Sequence, residues 1–257
     1  MPQSHSAEKQ RHVRLTVHML VSLDGKTNGD VLETPHHAQL MSEYYRVDNE
    51  FLKPQTQVCL CGRNSIGPHA SLENPNNYPA LDKAGDRSDF HADLETNPAP
   101  AGNHYFTAID PHGRLGWKVN TVYIKDFPFY NGDRIVEVLV EDFVTDEFLA
   151  QLRKVNVPYI FGKSALDCRL ALEKLGKLFK TDTVVCHGGG TVNGSFLEQG
   201  AVDHLSLILL PAVSGDPDAV SLFNPMPGKK LPIAEFDLEH VEKLVDGGLW
   251  LRYNRKA

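Results

Sequence analysis

Apolar residues fall along the chain in short runs divided by glycine, proline and polar turns, and the runs show two periods. Val13 to Val21 alternates loosely and predicts a first strand, running out into Ser22–Leu23–Asp24–Gly25–Lys26, a turn by its Asp-Gly step. Leu40, Tyr44, Val47 and Phe51 then recur at helical spacing. Thr34 stands as cap, Pro35 at the first helical position and Pro54 as the stop. Gln57 to Gly62, Tyr105 to Ile109, Thr121 to Ile124 and Ile135 to Val140 predict further strands. After these the rhythm is strand–helix. Thr145 caps a short helix with Phe148, Leu149 and Leu152, and Val157 to Phe161 is a strand ending at Gly162–Lys163. Ser164 caps the next helix, with Asp167 three residues on and Gly176 near its end. Thr183 to His187 is a strand that enters Gly188–Gly189–Gly190, and a helix from Thr191 to Gln199 follows, stopped by Gly200. Val202 to Leu210 is a core strand. Phe236 to Val245 and Leu249 to Asn254 alternate about Asp246–Gly247–Gly248 as an antiparallel hairpin.

Strands separated by helices of this length pair in parallel through right-handed crossovers. The expected fold class is α/β: a mixed, mainly parallel sheet with helices on both faces and a C-terminal β-hairpin. One domain is expected over 13–257, behind a disordered polar tail, 1–12. Between 66 and 104 periodicity is lost among Pro, Asn, Asp and Gly, as in a lid, a dimer-facing excursion or a loosely ordered insertion.

Composition narrows the class. With 41% hydrophobic and 23% charged residues the chain reads as a soluble globular protein, and its net charge of −7 argues against nucleic acid or an anionic membrane as the main partner. No apolar run approaches a membrane span and the first residues lack the apolar core of a signal peptide, so a cytoplasmic protein is expected. Four cysteines make no disulfide framework. Cys59 and Cys61 are expected on opposite faces of one strand, and Cys168 and Cys186 as buried small hydrophobes. The histidines, among them His36, His37, His69, His91, His104 and His112, have no ligand spacing, so no metal is expected.

The chemistry centres on the strand that ends in glycines and feeds a helix. Such a junction leaves bare backbone N–H groups at the positive end of the helix dipole, where a phosphate settles. The stretch fits neither the dinucleotide fingerprint, because Asn193 replaces its third glycine, nor the P-loop. On its own it is either a tight turn or a ligand cradle. Arg63 and Ser65, after the second strand, add a planar fork and a hydroxyl donor suited to a phosphate. No G-x-S-x-G elbow supports hydrolase chemistry.

SLDGK after the first strand, the Gly-Arg turn after the second, an Ile-Asp strand end, GGGTVNGSFLEQGAVDHLSL and the terminal hairpin, in this order, resemble one family. It is the reductase domain of riboflavin-biosynthesis deaminase/reductases, of the dihydrofolate reductase-like fold. The resemblance spans roughly Val13 to Tyr253, is sharpest at Ser22–Lys26 and Gly188–Leu207, and is poor across Ile66–His104. It implies a homodimeric reductase that takes hydride from NADPH and reduces a small pyrimidine- or pterin-like heterocycle or its imine. The implied model reaction is that of 5-amino-6-(5-phosphoribosylamino)uracil reductase.

By the same resemblance Gly62, Arg63 and Ser65 meet the adenosine phosphates, and Gly188, Gly189, Gly190, Thr191 and Val192 pass under the pyrophosphate. Ser22, Asp24 and Gly25 lie over the nicotinamide, and the strand ends at Asp110 and Gly162–Lys163 complete the cofactor set. His18, Lys26 and Lys53 fall at substrate-binding positions, and Asp24 and His187 are the candidates for handling a proton. Asp24 serves equally to fix its own turn, and His187 to fill the interior. The chain departs from the family pattern at three places: His18 replaces a lysine, Lys53 an arginine and His187 a glutamate. No zinc deaminase signature occurs. The expectation is a lone reductase-type domain with an altered substrate pocket; the alternative is a catalytically silent NADPH- or pterin-binding module.

Overall fold

The computed structural model describes residues 12–67, 72–74, 87–91, 94, 98–99, 103–123 and 128–256. The expected tail up to residue 11, much of the aperiodic stretch between 66 and 104, and Ile124 lie outside the described residues.

The strands are β1 (Arg14–Ser22), β2 (Val58–Gly62), β3 (Leu72–Glu73), β4 (Tyr105–Ile109), β5 (Gly116–Trp117), β6 (Arg134–Val140), β7 (Tyr159–Gly162), β8 (Thr183–Cys186), β9 (His204–Leu210), β10 (Phe236–Lys243) and β11 (Leu249–Arg255). All but β3 and β5, which pair with each other, form one sheet in the order β10-β11-β9-β1-β8-β2-β4-β6-β7. From β9 to β7 every neighbour is parallel, and the β10–β11 hairpin joins antiparallel at one side. The expected mixed, mainly parallel sheet with a terminal hairpin is therefore borne out.

Helices cover both faces because the parallel strands are apolar on both. The helices are α1 (Pro35–Val47), the single turn α2 (Arg63–Ile66), α3 (Asp146–Lys154), α4 (Cys168–Phe179) and α5 (Gly190–Glu198). Leu40, Tyr44 and Val47 of α1 and Leu149 and Leu152 of α3 pack with Phe106, Ile135 and Leu139 on one face. Leu172 and Leu175 of α4 and Phe196 of α5 pack with Leu15, Val17 and Leu60 on the other.

Local expectations fare differently. Thr145 caps α3 by accepting from the Phe148 N–H at 3.2 Å. Gly200 ends α5 with φ +66°, and the hairpin turns through Asp246 (φ +53°) and Gly247 (φ +78°). Thr34 does not cap α1 with its side chain; its hydroxyl donates to the Val31 carbonyl instead. Past Val47 the helix runs on, as the stripe through Phe51 to the Pro54 stop predicts, but as a π turn (Asp48–Leu52) and a 3₁₀ turn (Lys53–Gln55). Asp167, and not Ser164, caps α4, accepting from the Leu170 N–H at 2.9 Å. Gly176 lies inside α4, where a Cβ would come within 2.4 Å of a Val13 methyl. Thr121 makes an isolated bridge to Arg134. Cys59 and Cys61 share a face, as residues two apart on a strand must, and both bury in the α1-side core. All four cysteines are buried free thiols. Among the described residues no helix is long and apolar enough to cross a membrane.

Candidate functional site

The carboxyl ends of β1, β8, β2 and β4 lie side by side, the crevice position of open parallel sheets. They bring Ser22, Gly188, Gly62 and Asp110 to one rim. The Gly62 N–H donates to the Gly188 carbonyl at 2.6 Å, locking the two turns together. A side chain at Gly62 would come within 2.7 Å of a Val192 methyl, so this position must be glycine for the turn to lie against α5. The Gly188–Gly189 peptide is cis. Gly189 occupies the cap position of α5 and makes no side-chain cap bond. As a cap without a side chain, Gly189 offers the first-turn N–H groups no acceptor, which suits a phosphate.

Ser65 faces this cradle from the β2 side. A Cβ built on Gly189 would lie 3.1 Å from the Ser65 hydroxyl and meets nothing else within 4 Å. Arg63 Nε lies 3.7 Å from Oδ1 of Asp110, whose side chain is 1% exposed. The other Asp110 oxygen accepts from the N–H groups of Arg114 and Leu115, closing the turn after β4. Burial pushes the Asp110 carboxyl upward, against those hydrogen bonds and the Arg63 charge. Asp110 thus stands behind Arg63 and the turn, and Thr191 is exposed on the first turn of α5.

The other two glycines have a packing reason. A Cβ on Gly190 would sit 2.2 Å from the Ser221 carbonyl, and one on Gly194 1.9 Å from the Asn224 carbonyl. Residues 212–224 form a strap across α5, tied down by Asn224 N–H to Gly190 O at 2.9 Å and by Asn193 Nδ2 to Leu222 O at 2.9 Å. Asn193, the residue that spoils the dinucleotide fingerprint, is the strap's anchor.

The same strap holds the turn after β1. Ser22 donates to Asp24 at 2.6 Å and accepts from the Lys26 N–H at 2.8 Å, while Gly25 takes φ +79°. Asp24 accepts from Ser214 N–H at 3.0 Å and Gly215 N–H at 2.9 Å. The Ser22 hydroxyl and these two N–H groups hold its pKa down at about 2. Asp24 is thus an ionised loop clamp, a state that leaves it no proton to give at neutral pH. Lys26 Nζ donates to the Ala219 carbonyl at 2.8 Å and belongs to the same clamp.

Between α1 and the sheet, next to the cradle, lies a buried polar cluster. His18 is 0% exposed and stacks on Tyr44, ring centroids 4.1 Å apart. Its Nε2 meets the Tyr44 carbonyl at 3.2 Å, and its Nδ1 meets the Ser206 hydroxyl at 3.0 Å, which in turn accepts from Trp250 Nε1 at 2.9 Å. Burial lowers the His18 pKa to about 4, so this ring is neutral. The His187 side chain, 5% exposed, has Nε2 3.1 Å from Asp48 Oδ1 and Nδ1 3.1 Å from the Tyr130 hydroxyl. Lys53 places its ammonium over the Tyr130 ring, 5.2 Å from the centroid.

The structure therefore brings together Ser22, Asp24, Gly25, Gly62, Arg63, Ser65, Asp110 and Gly188 to Val192 at the rim, and gathers His18, Lys53 and His187 under α1. It leaves Gly162 and Lys163 apart: they end β7, four strands from β8, roughly 19 Å across the sheet. Gly162 meets a local need, since a Cβ there would lie 2.9 Å from the Ala165 carbonyl. A cleft of about 610 Å³ opens at the amino ends of β2, β4 and β8, past Lys53 and His104, and not at the glycine rim. Among the described residues no group of three or more His, Cys, Asp or Glu is placed to hold a metal ion. Sequence reasoning missed Asp48, Tyr130 and the strap. Asp48 had a signal: it lies four residues beyond Tyr44, an acidic residue on the apolar stripe of its helix.

A family model, the RibD C-terminal domain, matches residues 108–249, more than half of the chain. Among solved structures, a pyrimidine reductase-like protein from Corynebacterium diphtheriae superposes with TM-score 0.63 at 14% identity, covering 95% of this chain and 92% of that one. The riboflavin biosynthesis reductase Rib7 of Saccharomyces cerevisiae gives TM-score 0.56 at 14% identity, with coverages of 95% and 90%. RibD from Acinetobacter baumannii gives 0.56 at 17% identity over 96% of this chain, which spans 59% of that protein's length. At these identities the likeness is one of fold alone, that of the mixed, mainly parallel sheet described above. No curated protein matches by sequence.

Proposed function

The chain belongs to the RibD C-terminal domain family, and from that membership we propose that it is an oxidoreductase that uses NADPH to reduce a small pyrimidine- or pterin-like heterocycle or its imine. The observation that carries the proposal is the rim itself. An α5 N-terminus without a side-chain cap, a Gly189 whose missing Cβ leaves an opening toward Ser65, and a charged Arg63 braced by Asp110 lie together. Those residues suit a dinucleotide's phosphates: backbone N–H groups and the helix dipole for the pyrophosphate, and Arg63 with Ser65 for the additional phosphate of NADPH.

When bound, the nicotinamide supplies a hydride. The chain's residues do the rest. The clamp of Ser22, Asp24 and Lys26 fixes the β1 turn against the strap, walling the site on that side. His187, between Asp48 and Tyr130, is the group that handles the proton. Asp24, ionised and fully engaged, is not that group, and neutral His18 holds α1 to the sheet rather than gripping a substrate. His18 and Lys26, engaged in these contacts, are not substrate contacts, and Lys53 is the candidate that remains. A homodimer in the cytoplasm remains part of the proposal, tested by sedimentation and fractionation.

One observation favours the second reading, a silent binding module. His18, Tyr44, Asp48 and Tyr130 are each under 10% exposed and bonded among themselves and their neighbours, filling the space beneath α1. NADPH oxidation followed with a panel of pterins, dihydropterins and cyclic imines tests the choice. Turnover of any member supports the reductase. Binding of NADPH with no turnover across the panel supports the module.

A further inference from the structure

His187 is bonded at both ring nitrogens, and the two partners are chemically unequal. Asp48, on the first turn beyond α1, has a side chain 1% exposed and lies 3.1 Å from Nε2. Burial alone would raise its pKa, but the His187 charge and hydrogen bond, with His18 and Lys53 nearby, outweigh burial and hold it at about 2. An ionised carboxylate only accepts, so the ring proton at this edge belongs to Nε2. Tyr130 faces the other edge at 3.1 Å. Burial first, then Tyr44 and Asp48, keep its phenol protonated far beyond neutral pH, and a phenol both donates and accepts. The other groups facing the ring are His18 from β1, at 6.1 Å between centroids, and Tyr44 from α1, at 6.0 Å. His18 is neutral, and Lys53 is the nearby cation, over the Tyr130 ring.

We infer that Asp48 is the positioning residue of this site: it fixes the His187 ring with a proton on Nε2, so that Nδ1, through the Tyr130 hydroxyl, is the edge that passes a proton to the substrate. The inference deepens the proposed reduction and rests on it for the substrate step. Each hydride received by the substrate carbon leaves its heteroatom short of one proton. The Tyr130 O–H bond breaks toward that heteroatom as the Nδ1–H bond of the protonated ring breaks toward the Tyr130 oxygen. The ring ends neutral with Nε2–H still on Asp48, and solvent returns one proton to Nδ1. A carboxylate behind an imidazole sets the tautomer and stabilises the protonated ring.

The test is nitrogen-15 NMR of histidine-labelled full-length protein, the His187 signals identified by their loss in His187→Gln. In the unaltered protein the neutral ring, read at the alkaline end of a pH series, should carry its proton on Nε2 and leave Nδ1 bare. In Asp48→Asn the ring should become a mixture of tautomers, while the thermal shift given by NADPH stays as in the unaltered protein. Any turnover found with the imine and pterin panel should fall at least about tenfold. In Tyr130→Phe, the second variant should Asp48→Asn not fold, the proton should stay on Nε2. A neutral unaltered ring with its proton on Nδ1, an Asp48→Asn ring unchanged from the unaltered protein, or a neutral Tyr130→Phe ring with its proton moved to Nδ1 would each overturn the assignment. The ring measurement needs no cofactor, so it judges Asp48 even if NADPH proves not to bind.

Discussion

Replacing Gly189 with alanine separates a glycine kept for the fold from one kept for a ligand. Gly189 has φ −77° and ψ −166°, extended backbone open to any residue, so alanine adds no torsional strain. The new Cβ would meet only the Ser65 hydroxyl, at 3.1 Å, and that group moves a few tenths of an ångström by a small rotation. The lower entropy of an alanine in the unfolded chain offsets such a contact by about 0.4–1 kcal/mol. The apo protein should therefore unfold within about 2–4 °C of the parent, the shift that roughly 1 kcal/mol gives a domain of this size. A phosphate on the α5 N-terminus would meet the same methyl group, and affinity for NADPH should fall at least about tenfold, ~1.4 kcal/mol. With NADPH at about 100 times the parent's Kd, the ligand stabilises the parent by about 2.7 kcal/mol and a tenfold weaker variant by about 1.4 kcal/mol. The NADPH-induced rise in Tm should thus drop to about half. The assay is thermal unfolding of both proteins with and without NADPH. A variant that loses many degrees of apo stability yet keeps the parent's full rise would show that Gly189 serves the fold alone, and the cradle reasoning would fail.

Gly194→Ala is the counterpart. Its Cβ would lie 1.9 Å from the Asn224 carbonyl, so it should destabilise the apo protein by about 1–3 kcal/mol, seen as a fall in Tm. Arg63→Ala should remove most of the preference for NADPH over NADH, a charge-assisted hydrogen bond being worth about 1.5–3 kcal/mol, read by competitive titration of the two cofactors. His18 has its folded pKa depressed from 6.5 to about 4, so its contribution is present above pH 6.5 and is lost as pH falls toward 4. Over that window urea-unfolding stability should fall by ~3 kcal/mol less in His18→Gln than in the parent. The riboflavin-pathway ribosylaminopyrimidine phosphate should be turned over poorly, because His18, Lys53 and His187 replace the residues the family resemblance places there; steady-state kinetics with that compound decide it.

Local signals in the chain carried the strands, the Thr145 cap, the Gly200 stop and the hairpin, because each depends on residues within a few positions. The rim was legible for the same reason: Gly62–Ser65 and Gly188–Val192 each form one turn after one strand. What stayed hidden depends on distant contacts. Gly190 reads in the sequence as part of a phosphate cradle, but the strap residue Ser221, some thirty positions on, requires it, as Asn224 requires Gly194. Asp24 reads equally as a proton handler or as the brace of its own turn, and the Ser214 and Gly215 N–H groups that engage its carboxylate lie some 190 positions on. Glu137 sits wholly buried inside an apolar strand, its carboxyl bonded to the Trp117 indole, and the run IVEVLV gave no hint of that partner. Asp48 stands on the apolar stripe of its helix, but nothing local shows that its partner is His187, 139 positions on.

The most direct test of the account is calorimetric titration of the full chain with NADPH and, separately, NADH, in the unaltered protein and in Arg63→Ala. The account predicts saturable NADPH binding, tighter than NADH by about tenfold or more in the unaltered protein, with the two nearly equal in the variant. Equal affinity for both cofactors in the unaltered protein would remove the Arg63–Ser65 turn from the site. No binding of either would contradict the reductase reading and the binding-module reading together.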